Sequence, residues 1–288
     1  MRRRLEIDGV ELSWVERGAG APLLLLHGFS GSATGMAPLA ETLSQDFRVL
    51  AVDLLGHGES EAPDDPAPYR MERCTAQLAG LLDRSGARPA HVFGYSMGGR
   101  VALGLGVLRP DCVRSLALLG ASAGLSDPEA RAERSRHDAD LADAIERDGV
   151  EAFARRWSEL PLFETQKRTL SDTARAELHG QRLQNRAQGL ANSLRGLGSG
   201  VQPPLRERVS ALSVPVWLGY GAKDAKFGAI AAELAALLPG AETGSIPAAG
   251  HAAHLENPDA LLAALRRFLA RAEHPHRPAD ALRAAPGG

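Results

Sequence analysis

The chain has 288 residues, a formal net charge of −2, 44% hydrophobic residues and two cysteines. That length suits one large α/β domain carrying an insertion. The near-neutral charge excludes a general attraction to nucleic acid or to an anionic membrane surface, and isolated Cys74 and Cys112 read as buried small apolar side chains rather than a disulfide or a thiol catalyst.

In chain order, Arg2-Arg3-Arg4 reads as an exposed basic tip, and the charges of Leu5-Glu6-Ile7-Asp8-Gly9 break the apolar centre a signal peptide needs. No stretch approaches the ~20 apolar residues of a membrane helix, so a cytoplasmic protein with no membrane span is expected. Val10 to Glu16 alternates as a half-buried strand does. Pro22–Leu26 and Arg48–Val52 read as further strands, the first apolar throughout, which suits a parallel sheet covered on both faces. Strands are also expected at Ala90–Phe93, Val113–Leu119, Val214–Leu218 and Glu242–Ile246, separated by helical patterns near 72–84, 97–108, 226–238 and 258–272. This alternation predicts an α/β fold with a mostly parallel, doubly wound sheet. Between Leu119 and Val214 lie about ninety residues without a clear strand, too long for a bare loop. The expected organisation is a first core part at 1–124, a helical cap insertion at 125–205, a second core part at 206–272, and a poorly ordered tail at 273–288, where little can be buried.

The most informative segment is Gly94-Tyr95-Ser96-Met97-Gly98-Gly99-Arg100, which follows an apolar strand and opens a helix. A turn that sharp needs residues without a Cβ at 94 and 98. It would hold the Ser96 hydroxyl above the sheet edge, with the Met97 backbone N–H facing an oxyanion. A serine becomes a useful nucleophile or base when an imidazole takes its proton and a carboxylate fixes the imidazole's tautomer. Asp224 follows the strand ending at Leu218, and His251, preceded by Gly250, follows the strand ending at Ile246. Both therefore reach the carboxyl edge of the sheet, beside Ser96. His27 reads as a brace for the loop after an early strand, where the Phe29 N–H is the second oxyanion donor, and His57 as an orderer of a turn. His254 is the main rival to His251 but lacks a preceding glycine. Asp53 precedes Ser96 in the chain and reads as a turn carboxylate.

Together His27-Gly28-Phe29, Gly56-His57-Gly58-Glu59-Ser60, the turn at Ser96, Asp224 and Gly250-His251 resemble the α/β-hydrolase superfamily, over nearly all the chain outside the cap and tail. That fold hosts several reactions, so the cap must discriminate among them. Arg131-Ala132-Glu133-Arg134, Trp157-Ser158-Glu159-Leu160-Pro161-Leu162-Phe163, Gly189 to Arg195, Val201-Gln202-Pro203 and Asp224-Ala225-Lys226-Phe227 resemble more specifically the 2-succinyl-6-hydroxy-2,4-cyclohexadiene-1-carboxylate (SHCHC) synthase family of menaquinone biosynthesis. The resemblance implies a lyase that removes pyruvate by 2,5-elimination from 2-succinyl-5-enolpyruvyl-6-hydroxy-3-cyclohexene-1-carboxylate, with Ser96 as base. The residues alone leave a second reading, a serine hydrolase of a small carboxylate-bearing ester or C–C bond.

A substrate with several carboxylates calls for arginine forks. The candidates are Arg100, one helical turn after Ser96, Arg134 of the Arg-Ala-Glu-Arg segment, and Arg182, with Arg186 close by. Residues 125–200 hold twelve Lys/Arg against thirteen Asp/Glu, so most cap arginines are expected to be solvated partners of neighbouring acids. Tyr95 and Trp157 are candidate walls for the substrate ring. No metal or organic cofactor is implied, because the histidines lack ligand spacing and no glycine-rich phosphate loop occurs. Nothing in the sequence fixes an oligomeric state, and a monomer is compatible with it.

Overall fold

The computed structural model describes residues 1–274. Eight strands form one sheet: β1 (Arg2–Ile7), β2 (Val10–Arg17), β3 (Pro22–Leu26), β4 (Arg48–Asp53), β5 (Ala90–Tyr95), β6 (Val113–Leu119), β7 (Val216–Gly221) and β8 (Glu242–Ile246). Their spatial order is β1-β2-β4-β3-β5-β6-β7-β8, parallel from β4 to β8 and antiparallel where β2 meets its two neighbours. The apolar runs are buried on both faces as expected. Leu24, Leu50, Val92, Leu116 and Leu218 pack into one layer, while Leu25, Ala51, Phe93, Ala117 and Trp217 pack into the other.

Helices α1 (Ala37–Leu43), α2 (Met71–Arg84), α3 (Met97–Leu108), α8 (Ala225–Leu237), α9 (Ala253–Glu256) and α10 (Pro258–Glu273) belong to the core. Between β6 and β7 the cap contributes α4 (Pro128–Ser158), α5 (Glu164–Thr169), α6 (Asp172–Leu183) and α7 (Ala187–Leu197). Gly149, at φ 83°, breaks α4 into two stretches. A small apolar centre of Ala142, Ile145, Phe153, Leu190 and Leu194 holds the cap helices together. The Leu205 N–H donates to Ala123 O at 2.8 Å, so the chain re-enters the core beside the point where it left.

Two expectations change. The basic tip is an edge strand in register with β2, and Arg2 reaches the buried Asp53 carboxylate at 2.6 Å. Arg2, Arg3 and Arg4 pair with Asp53, Glu16, Glu11 and Glu59, so their charges lie on a sheet edge instead of a loose end. The tail was expected from 273, but Glu273 closes α10, and its carboxylate meets His91 and Arg114 at 2.5 and 2.8 Å. The rest of that expectation, from 275 on, lies outside the described residues.

Candidate active site

The turn at Ser96 is built by close backbone approach. A Cβ at Gly94 would overlap the Gly98 carbonyl, and one at Gly98 would overlap Leu26 O and sit 2.5 Å from His27 O. Ser96 itself adopts φ 52°, ψ −111°, a conformation that costs a non-glycine residue about 1–3 kcal/mol and is held by its surroundings. Its N–H donates to Leu119 O at 2.8 Å, tying the turn to β6.

Two further strand ends deliver the partners. The Lys223 N–H donates to Ala249 O at 2.8 Å, and a Cβ at Gly221 would overlap Gly250 O, so the loops after β7 and β8 lie backbone against backbone. Asp224 caps α8 by accepting from the Phe227 N–H at 3.1 Å through Oδ1, which leaves Oδ2 to meet His251 Nδ1 at 2.9 Å. His251 Nε2 then lies 3.0 Å from Ser96 Oγ. The side chains of Asp224 and His251 are buried, and the Phe227 ring rests 4.5 Å from the imidazole. This arrangement can move a proton from Ser96 to His251 while the carboxylate supports the imidazolium. Gly250 serves by allowing a close approach, since a Cβ there would overlap Thr165 Oγ1 of α5.

Phe29 and Met97 line the same cavity as Ser96. Met97 opens α3, so its N–H has no carbonyl one turn back within the helix. Among the described residues the Phe29 N–H has no acceptor.

The competing residues fall elsewhere. His27 donates through Nδ1 to Gly28 O at 2.8 Å and accepts the Leu54 N–H at 3.0 Å, bracing that loop. His57 reaches Leu55 O at 3.2 Å. His254 packs 4.2 Å from the Tyr95 ring, and burial together with the neighbouring His251 pulls its pKa down to about 3. Asp53 accepts from the Ala33 and Glu59 N–H groups, a turn carboxylate.

Ser96 opens into a chamber of about 150 Å³ whose walls include Arg100, Arg134 and Trp157, three of the five candidate substrate contacts. Arg100 spends Nη1 on Leu197 O and Gln202 Oε1, both at 2.7 Å, and has no carboxylate in ion-pair distance among the described residues. Burial, reinforced by Arg134 nearby, pulls its guanidinium down to about 10. Arg134 uses Nε on Asp138 at 2.8 Å. Trp157 stands 5.3 Å from both Phe29 and Phe153. Arg182 and Tyr95 instead line a smaller adjoining cavity that shares Phe29 and Trp157 with the chamber. Arg182 donates to Ser158 Oγ at 2.6 Å, and burial lowers its pKa. The sequence reading assigned no role to Ser193 or Lys226, which also face the chamber; both sit in segments quoted above for their resemblance.

The sequence profile described as the alpha/beta hydrolase fold matches residues 21–258. A Bacillus subtilis (strain 168) protein with the provisional name 2-succinyl-6-hydroxy-2,4-cyclohexadiene-1-carboxylate synthase is 40% identical over 253 residues, covering 87% of this chain and 92% of the relative. The synthase of that name from Escherichia coli O1:K1 / APEC is 34% identical over 247 residues, 86% of this chain and 93% of the relative. Among solved structures, MenH from S. aureus superposes with a TM-score of 0.86 at 30% identity, covering 91% of this chain and 99% of that one.

Proposed function

The chain belongs to the α/β-hydrolase fold family, and from that premise we infer that it is a lyase of menaquinone biosynthesis, performing the reaction for which its relatives are named. The observation that carries this is identity of 34–40% extending over most of the chain and more than nine-tenths of each relative, cap included. The site residues are our assignment. Ser96, with His251 as proton acceptor and Asp224 as its support, removes the proton on the ring carbon next to the succinyl ketone. The electron pair forms the first new double bond, the ring double bond shifts, and the C–O bond to the enolpyruvyl group breaks. The group leaves as the enolate of pyruvate, the proton held by His251 is given back as it becomes pyruvate, the diene is released, and no water is consumed. The Phe29 and Met97 N–H groups hold the enolate oxygen, which carries the same kind of charge as the tetrahedral intermediate of an ester.

Arg100 and Arg134 take substrate carboxylates in the chamber, Trp157 flanks the ring, and Arg182 with Tyr95 serves an arm in the adjoining cavity. Arg100 is the best placed. A half-buried guanidinium bonded to neutral acceptors gains most from an arriving anion. No helix among the described residues is long and apolar enough to cross a membrane. We place the reaction in the cytoplasm, where the buried free cysteines Cys74 and Cys112 need no oxidising compartment.

The test supplies the enolpyruvyl cyclohexene substrate, made in situ, and follows pyruvate and diene together. Wild type should release both, and Ser96→Ala should lose about three orders of magnitude in rate. Release at only the spontaneous rate by the wild type would return the chain to the hydrolase reading.

A further inference from the structure

The chamber around Ser96 has three cationic side chains on its walls, Arg100, Arg134 and Lys226, and among the described residues no Asp or Glu. Lys226 differs from the two arginines in position. Arg100 is half-buried in the chamber wall, whereas Lys226 is exposed and also lines a further cavity of about 230 Å³ that shares part of its wall with the first and has Glu233, paired with Arg206, on its far side. The two cavities share Arg134, Ser122, Ser199 and Phe227, so Lys226 stands where one passes into the other.

Fold stability does not explain a lysine at this point. Residue 226 is the second of α8, where the unpaired N–H groups of the helix favour a negative side chain and disfavour a positive one. The first turn of α8 carries no acidic residue, and Lys226 has no ion-pair partner among the described residues. Its ammonium lies 5.8 Å from the centre of the Phe227 ring, the ring that packs on His251. Asp224, the N-cap of α8, is engaged by the Phe227 N–H and His251, so a cation at this helix position without an ion-pair partner among the described residues, beside a chamber with no acid on its described walls, is available to a ligand.

We propose that Lys226 is a specificity-determining contact that binds the carboxylate at the end of the substrate's succinyl chain. This rests on the lyase reading above, because that reading fixes which carbon lies at Ser96. With the proton-bearing ring carbon at Ser96 Oγ, the ring carboxylate is only one carbon away and remains inside the chamber. The succinyl chain carries its carboxylate two methylenes beyond the ketone, on the most flexible arm of the molecule. That arm extends into the passage between the cavities, where Lys226 and Arg134 flank it. A lysine suits this place, since a flexible point charge can follow a flexible chain.

The test separates this contact from the reaction itself. The probes are 2-(3-carboxypropanoyl)benzoate, a stable aromatic diacid with the same chain, and its methyl ester on the chain carboxyl. Dissociation constants are measured by calorimetry for the wild type, Lys226→Met, Lys226→Arg and Lys223→Met. The wild type should prefer the diacid, Lys226→Met should weaken the diacid about tenfold without a comparable effect on the chain ester, and Lys226→Arg should keep the preference. Lys223, which does not line the chamber, should be dispensable. Lys226→Met should melt at or above the wild-type temperature, which separates a lost contact from a lost fold. Equal weakening of both probes by Lys226→Met, or weakening of neither, would overturn the assignment. Failure of the lyase reading would appear separately, as absence of Ser96-dependent pyruvate release by the wild type.

Discussion

Arg100 holds a charge in a place where charge is expensive. Its partners Leu197 O and Gln202 Oε1 are neutral, and the Gln202 Nε2 on the far side of that amide has no hydrogen-bond partner. Removing the guanidinium relieves the desolvation of its charge but leaves Leu197 O and Gln202 Oε1 without their donor, at a cost of about 1–3 kcal/mol. Arg100→Met should therefore lower the melting temperature by only a few degrees while lowering kcat/KM on the tricarboxylate substrate by about ten- to a hundredfold. Thermal melts and steady-state kinetics on the one variant check both halves. At this scale the sequence was legible where chemistry depends on neighbours in the chain. Gly94 and Gly98 are needed for the reason read from the motif, and Asp224 and His251 stand at strand ends, so a linear order sufficed to bring them to Ser96. The division of the candidate substrate contacts between two cavities was hidden, because Arg182 of α6 and Tyr95 of β5 are far apart in the chain and meet in one cavity only through the way the cap sits on the core.

Helix α7 meets the core more intimately than the other cap helices. A Cβ at Gly189 would overlap Gly56 O, and one at Gly56 would lie 2.5 Å from Gly189 O, so two backbones touch with no side chain between them. Around this contact Asn185 donates to Ser30 O at 3.0 Å and accepts from the Gly58 N–H at 3.1 Å, while Asn192 donates to Pro63 O and Asp64 O, both at 2.9 Å. Gly189→Ala must push these backbones apart, at a cost of about 1–3 kcal/mol, and denaturant unfolding should show it. The same variant should raise KM, because Ser193 and Leu194, on the same helix, line the chamber. Elements with strong apolar patterns were legible to within a few residues, as α3 at 97–108 illustrates. Strand β1 was not. An edge strand with a solvated face carries charge where a buried strand carries leucine, and only its pairing with β2, set by tertiary structure, distinguishes Arg2–Ile7 from a loose end.

Over the whole molecule, several histidines are buried neutral. Burial pulls His57 and His254 down to about 3 from an ordinary 6.5, and His27 and His91 move the same way. With the folded pKa depressed, the native state binds fewer protons than the unfolded chain between these values. Stability is full above about pH 6.5 and is lost as pH falls toward the folded pKa, at up to ~1.4 kcal/mol per pH unit for each such histidine. Urea unfolding at pH 7.5 and pH 5.5 should show the drop, and His254→Gln should make it shallower. The overall charge gave no hint of the chamber, since its three cations come from three separate elements, Arg100 from α3, Arg134 from α4 in the cap and Lys226 from α8, and a total over the chain or over the cap does not show that they converge.

The hydrogen bond from Leu205 to Ala123 joins the two ends of the cap. An insertion whose ends meet can be exchanged as a cassette without altering the spacing of β6 and β7. Ser96, Asp224 and His251 all lie outside it, while Arg134 and Trp157 lie within. Evolution can thus draft new substrates by rewriting one contiguous stretch of gene, leaving the proton-transfer apparatus as inherited, and a laboratory graft of residues 124–204 from a relative of different specificity should transplant selectivity along the same seam.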